Sequence, residues 1–295
     1  MRHAILGLGG VGGLMAACLA KSGEQVTAVV RGNAAAGQSS VLKLESPVVG
    51  DFSVEVSLKT SGPPVDVVWI TVKATQLGDA LRSFGSAQSV QAVVPLLNGL
   101  DHIARLRSKF GTEKVIPAAI RVESERVAPG HIVQRSPFVR LSLSSRAHPV
   151  LDACTEKLNA MGFTCEFVDD EPTLLWSKLV FLGPFALVTT AYGKNKGEIA
   201  ADGVCWQEFE ECVREACAVA KAEGARVDAA SVLSFGASLP GHMQSSMHKD
   251  VGQGRTPELD AIGGAILRAA HRHNVAVPVT ERLVGQVQRL AGVAV

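Results

Sequence analysis

The sequence predicts an α/β chain in two parts, a doubly wound parallel sheet with its helices followed by an all-helical domain. Three observations carry that expectation. Within the first 30 residues a short apolar strand runs into a glycine cluster, a helix-like stretch and a second apolar strand. Short β-branched runs then alternate with helix-like segments, the pattern of parallel strands joined by crossover helices. Beyond residue 167 the hydrophobic period becomes helical almost throughout.

Taken in order, residues 4–6 form the first strand, 14–21 a helix closed by Ser22-Gly23, and 25–30 the second strand. Residues 65–72, 90–97 and 114–120 follow as strands, the last after a basic helix. Between residues 130 and 143, Ile132, Val133, Val139, Leu141 and Leu143 alternate with polar residues, which reads as strands of a mixed edge. Helices are expected over 172–181, 207–223, 231–239, 258–274 and 280–290, with Gly183-Pro184 disturbing the chain between the first two. The division falls at Val168-Asp169-Asp170, giving domains 1–168 and 169–295.

A chain of 295 residues with 47% hydrophobic and 19% charged residues has the material for two buried cores. Its 29 basic residues against 28 acidic ones leave no positive field to draw it onto nucleic acid or an anionic membrane, so the expected partner is a small molecule. Six cysteines without a C-x-x-C pair or matching histidine spacing argue for reduced packing residues and no metal site. The start runs straight into a strand without a signal peptide, and no apolar run approaches the length of a membrane span, so the expected location is cytoplasmic. A homodimer is compatible with the sequence, which does not set the oligomeric state.

Gly7-Leu8-Gly9-Gly10-Val11-Gly12 is a G-x-G-x-x-G fingerprint between a strand and a helix, the phosphate-binding turn of a Rossmann domain. The first glycine permits the tight turn, the second lets backbone N–H groups approach a pyrophosphate, and the third packs helix against strand. The positive end of the helix dipole then faces the phosphates. Where an NAD site places a carboxylate, at the end of the second strand, this chain has Arg31. A guanidinium matches a 2′-phosphate with charge-assisted bonds, which selects NADP(H). Lys73, just past the third strand, adds to that phosphate field.

Several further blocks resemble the 2-dehydropantoate 2-reductases, also called ketopantoate reductases. They are Val72-Lys73-Ala74-Thr75-Gln76, Leu97-Asn98-Gly99, Leu175-Trp176-Ser177-Lys178-Leu179, Ser245-Ser246-Met247, Pro257-Glu258-Leu259-Asp260, Gly263-Gly264 and Val277-Pro278. The resemblance runs nearly end to end. It implies a Rossmann domain, a helical second domain and NADPH-dependent reduction of ketopantoate to pantoate. Lys178 takes the family's general-acid position, where an ammonium stabilises the oxygen that becomes negative as hydride arrives. Burial is expected to lower its pKa from about 10.4. Asn98 becomes a contact for cofactor and substrate, Ser246 a substrate-binding serine, Glu258 a catalytic and cofactor-contacting carboxylate, and Ser124 a backbone contact to the cofactor.

The resemblance fails at three positions. Where the family carries asparagines four and eight residues after the lysine, and another before the next Gly-Glu, this chain has Leu182, Ala186 and Lys196. Leu182 and Ala186 cannot bond a substrate hydroxyl, so another 2-oxo acid or related carbonyl is the alternative substrate. Loss of all three asparagines also leaves open a catalytically silent NADP(H)-binding regulatory protein.

Overall fold

The computed structural model describes residues 1–30, 39–85, 89–293 and 295. The chain divides into two compact units. One comprises Met1–Leu97 and His102–Asp169, the other Asn98–Asp101 and Asp170–Val295.

The first unit is built on an eight-stranded sheet. Its strands are β1 (Arg2–Leu6), β2 (Gln25–Val29), β3 (Ser39–Glu45), β4 (Phe52–Lys59), β5 (Val67–Ile70), β6 (Ala92–Pro95), β8 (Ser124–Ala128) and β9 (His131–Gln134). They lie in the order β6-β5-β1-β2-β4-β3-β9-β8. The run from β6 to β4 is parallel throughout, while β3 and β8 enter antiparallel to β4 and β9. A three-stranded sheet adds β7 (Ala118–Arg121), β10 (Arg140–Ser144) and β11 (Thr164–Val168). The helices are α1 (Gly10–Lys21), α2 (Leu77–Phe84), α3 (His102–Phe110) and α4 (His148–Ala160).

Strand period explains the layers. In β1, Ile5 joins one core with Leu14, Met15 and Leu19 of α1, whereas Ala4 and Leu6 join a second with Leu77, Ala80, Leu81 and Phe84 of α2. In β5, Val67 and Trp69 face the first core, Val68 and Ile70 the second. Apolar residues on both faces are what a helix-covered parallel sheet requires.

Two features differ from the sequence expectation. β3 and β4 form a hairpin over 39–59 that the sequence pattern did not reveal, because its residues alternate with charged ones at half-exposed strands. The mixed edge at 130–143 splits, with β9 pairing β3 and β8 in the large sheet and β10 pairing β7 and β11 in the small one.

The second unit is helical: α5 (Glu171–Tyr192), α6 (Lys196–Ala201), α7 (Gly203–Ala222), α8 (Ala229–Ser238), α9 (Ser246–Gly252), α10 (Ala265–His273) and α11 (Pro278–Ala291). At its centre is α5, 22 residues long, and it runs unbroken through Gly183-Pro184. The proline costs one backbone donor, but both residues are buried, and a Cβ on Gly183 would lie 2.6 Å from Ile266 Cδ1. Close packing at that point offsets the roughly 3 kcal/mol that an interior proline costs a helix. Contrary to the expectation that no apolar run approaches a membrane span, α5 is long and apolar enough to cross one, yet 72% of its most apolar window is buried in the protein. The expected helix over 258–274 begins instead with a π-helical turn, Asp260–Gly264, and continues as α10 to Asn274, whose φ of 52° ends it. All six cysteines are free, and burial pushes the Cys212 thiol up to about 12.

Candidate active site

In the first unit the glycine turn sits at the carboxyl end of β1, beside that of β5, where the strand order reverses direction and α/β folds bind ligands. Gly7 adopts φ +109°, and a Cβ there would meet Val72 Cγ1 at 2.7 Å. A Cβ on Gly12 would lie 1.9 Å from Gly7 O, so the third glycine brings α1 onto the turn. Thr71 Oγ1 donates to that same Gly7 carbonyl at 2.7 Å. Gly9 differs: it caps α1 without a side-chain bond, and a Cβ on it would touch nothing within 4 Å. No protein atom requires glycine there, which fits a turn kept bare for an approaching pyrophosphate. Leu8 and Val11 anchor the turn by packing against the core.

Ser124 serves this turn from 114 residues away. Its Oγ donates to Gly10 O at 2.9 Å, and a Cβ on Gly10 would stand 2.0 Å from the Ser124 carbonyl oxygen. Lys73 precedes the short 3-10 turn Ala74–Gln76, three residues past β5, and is half-buried. Arg31 lies outside the described residues.

In the second unit three of the expected residues come together. Lys178 Nζ donates to Asn98 Oδ1 at 2.9 Å, and Asn98 Nδ2 donates to Glu258 Oε2 at 2.9 Å. An ammonium can only donate and a carboxylate only accept, so the amide orientation is fixed by chemistry. Lys178 comes from the second turn of α5, which Asp170 caps by accepting from the Thr173 N–H and O–H. Glu258 is 9% exposed and its carbonyl accepts from Ile262 N at the start of the π-turn. Asn98 is followed by Gly99 at φ +85°, and a Cβ on Gly99 would lie 2.0 Å from the Ala261 carbonyl oxygen. The Asn-Gly pair is therefore a turn and also the means of carrying the amide to its partners.

Ser246 is exposed at the first residue of α9, and among the described residues no hydrogen bond joins it to the other three. Its neighbour Ser245 is the buried one, accepting from His248 N at 3.0 Å and lying 2.8 Å from Thr189 Oγ1 of α5. Of the substituted positions, Leu182 packs half-buried on the helical core and Ala186 is 1% exposed, while Lys196 Nζ donates to Ala237 O at 2.7 Å. Among the described residues no group of three or more His, Cys, Asp or Glu could hold a metal ion.

Comparison with known proteins decides the family. Residues 3–146 match the model of "Ketopantoate reductase PanE/ApbA", and residues 173–291 that of "Ketopantoate reductase PanE/ApbA C terminal". The chain belongs to the ketopantoate reductase family. The 2-dehydropantoate 2-reductase of Caulobacter vibrioides is 30% identical over 298 residues, spanning 98% of both chains. The crystal structure of a PanE/ApbA family ketopantoate reductase from Ralstonia eutropha superposes with a TM-score of 0.85 at 25% identity, covering 99% of each chain. D-mandelate dehydrogenase, solved with NADH and anilino(oxo)acetate, shares the fold at a TM-score of 0.85 and 22% identity over 99% of each chain. This ketopantoate reductase family member is accordingly an oxidoreductase acting on a CH–OH group with a nicotinamide cofactor.

Sequence reasoning missed the residues around the triad. Arg268 pairs with Asp101 and Asp260, three residues after Asn98 and two after Glu258, and Thr71 ties the glycine turn to the end of β5. Arg268 meets Asp101 across 167 residues and Thr71 meets Gly7 across 64, so no local pattern signals either pairing.

Proposed function

We propose that this protein is an NADPH-dependent reductase of a 2-oxo acid, ketopantoate or a close relative, with Lys178 as general acid. The bridge from Lys178 through Asn98 to Glu258 is the observation that carries this reading. It holds an ammonium in a defined direction beside a carboxylate nine-tenths buried. Bound NADPH would supply the hydride to the ketone carbon. As that carbon becomes tetrahedral its oxygen gains negative charge, and the Lys178 ammonium stabilises the charge and delivers a proton to the oxygen. Asn98 orients the ammonium from one side, and Glu258 holds the amide. Ser246 remains a candidate for the substrate carboxylate, its hydroxyl exposed at the start of α9.

Arg31, by its place in the sequence after the second strand, supports the choice of NADPH, since a guanidinium suits a 2′-phosphate, with Lys73 as a second cation. The fit of the bare Gly9 turn to a dinucleotide supports the cofactor class.

A second substrate reading rests on a specific observation. Ala186 is sealed in the helical core and Leu182 presents hydrocarbon, so neither can pair a substrate hydroxyl. A 2-oxo acid without ketopantoate's hydroxyl would suit such a site. The test is oxidation of NADPH and of NADH across a panel of 2-oxo acids that includes ketopantoate, in the parent protein and in Arg31→Ala. Turnover with an NADPH preference that Arg31→Ala erases supports the reading. Tight NADPH binding without turnover of any acid would identify a silent binding protein instead. The setting expected is the cytoplasm, and light scattering would show whether the chain is a homodimer.

A further inference from the structure

We propose that Arg268 is the positioning residue that holds Asn98 between Lys178 and Glu258, an inference that rests on the catalytic reading above. Arg268 lies on α10, and its guanidinium forks across two segments. Nε and Nη2 donate to Asp101 Oδ2 at 3.1 and 2.6 Å, Nη1 to Asp260 Oδ1 at 2.6 Å, and Nη2 also to the Asp260 carbonyl at 3.0 Å. Asp101 stands three residues after Asn98, and Asp260 two residues after Glu258. One side chain thus fastens the segment bearing the bridging amide to the segment bearing the carboxylate that amide must reach.

The backbone between these contacts agrees with that role. The Asn98–Asp101 segment lies so close to the π-turn that Gly99 has no room for a Cβ beside the Ala261 carbonyl oxygen. A π-turn widens the helix and is frequently found at functional sites. Here it includes Asp260 and Ala261, the two residues that Arg268 and Gly99 meet. The side chains of Arg268, Asp101 and Asp260 are 41%, 52% and 59% exposed. Pairs as exposed as these add little to stability, which leaves their effect to be read in position. A planar fork is needed to reach both carboxylates and a carbonyl at once, which a lysine ammonium cannot do.

The experiment uses the full chain and the variants Arg268→Ala, Arg268→Lys and Asn98→Ala. The Asn98 side-chain amide resonances are identified as those lost in Asn98→Ala. In Arg268→Ala they are expected to move toward the position of a free amide, and in Arg268→Lys to move part of the way. Turnover of a 2-oxo acid with NADPH should fall roughly 10-fold in Arg268→Ala, since small displacements of a positioned group are costly in rate. In the Asn98→Ala background the same change should alter kcat by less than about twofold, because the two residues act as one unit. Unmoved amide resonances, or a full loss of kcat that persists without Asn98, would overturn the proposal. So would a lowered melting temperature with the amide in place, the mark of a merely structural pair. If Arg268→Ala fails to fold, Arg268→Lys decides by the same two readouts. Should no 2-oxo acid be reduced at all, the catalytic reading falls while the amide resonances still decide the role of Arg268.

Discussion

Lys178 and Glu258 are bridged by a single amide, Asn98 accepting from the ammonium and donating to the carboxylate, each at 2.9 Å. The amide joins the two charged groups through ends that cannot be exchanged. If Lys178 gives up a proton in the transition state, Lys178→Ala should lower kcat by roughly 10² to 10⁴ while dinucleotide affinity is nearly unchanged. Titration calorimetry with NADPH alongside steady-state kinetics separates the two effects. Full activity in Lys178→Ala would remove the residue from the chemistry.

Asn98→Asp tests the bridge without changing its shape. The introduced carboxylate still accepts from Lys178 but meets Glu258 oxygen against oxygen, where two negative charges at hydrogen-bond distance cannot both persist. One of the pair must take a proton, so activity should be depressed at alkaline pH and partly recover as pH falls. The parent protein should not show that recovery. A pH profile of kcat for both proteins reads it, and superimposable profiles would show that the amide donor has no consequence.

The glycine turn makes a paired prediction. Gly12→Ala places a methyl 1.9 Å from Gly7 O and 2.5 Å from Thr71 Oγ1, so α1 or the turn must shift, at roughly 1 to 3 kcal/mol in stability. Gly9→Ala meets no protein atom, and stability should change by less than about 0.5 kcal/mol while dinucleotide affinity drops. Chemical denaturation and fluorescence titration with NADPH measure the two quantities. Unchanged affinity in Gly9→Ala would mean that the turn does not face the pyrophosphate.

What was legible in the sequence was local. Gly7, Gly9 and Gly12 declare the turn because strand, glycines and helix lie within 20 residues, and α7 and α11 declare themselves by their apolar period. Lys178 and Glu258 stood out only through likeness to a family, since one lysine on a helix resembles any other. The hairpin of β3 and β4 is not legible because its strands, though interior to the sheet, expose alternate polar residues and carry no long apolar run. Gly183-Pro184 signals a break that α5 does not make, because the packing that tolerates the proline, Ile266 against Gly183, is contributed 83 residues away. Ser124 under Gly10 and Arg268 on Asp101 are likewise long-range contacts, which only the folded chain creates.

Stability of the first unit should fall with acid, beginning near neutrality. His3 of β1 is fully buried and accepts from Trp69 Nε1 through Nδ1 at 3.1 Å, so its proton sits on Nε2, which faces Glu24 at 3.5 Å. Burial lowers its pKa to about 4, against the pull of Glu24. Below about pH 6.5 the unfolded chain takes up a proton on this histidine and the folded chain does not. The stabilising difference is complete above that value and is lost as pH falls toward 4, by on the order of 3 kcal/mol. Burial raises the Glu24 carboxyl, but its bond from Lys157 helps to bring it down to about 2, so its contribution is lost in turn below pH 4.5. Hydrogen exchange of β1 and β5 amides between pH 4.5 and 7.5 should show the slope, and His3→Gln, which keeps an acceptor for Trp69, should flatten it. Equal slopes in both proteins would assign the acid sensitivity elsewhere.

Selectivity should follow the altered face of α5. Leu182 stands one helical turn beyond Lys178, on the same side of the helix, where the family's asparagine amide would be. With hydrocarbon at that position and Ala186 buried behind it, ketopantoate's hydroxyl must find Ser246, Glu258 or Lys196, and Lys196 already donates to Ala237 O. If none of them reaches it, the hydroxyl is buried unpaired at a cost of about 1 to 3 kcal/mol, up to ~100-fold in preference. The ratio of kcat/KM for ketopantoate to that for 2-oxoisovalerate should therefore be small in this protein. Leu182→Asn should raise it by restoring a partner one turn from the acid, with little change in NADPH affinity because the glycine turn is untouched. Measuring both substrates in both proteins decides the matter. Strong ketopantoate selectivity already present, and unmoved by Leu182→Asn, would show that this face of α5 does not read the hydroxyl.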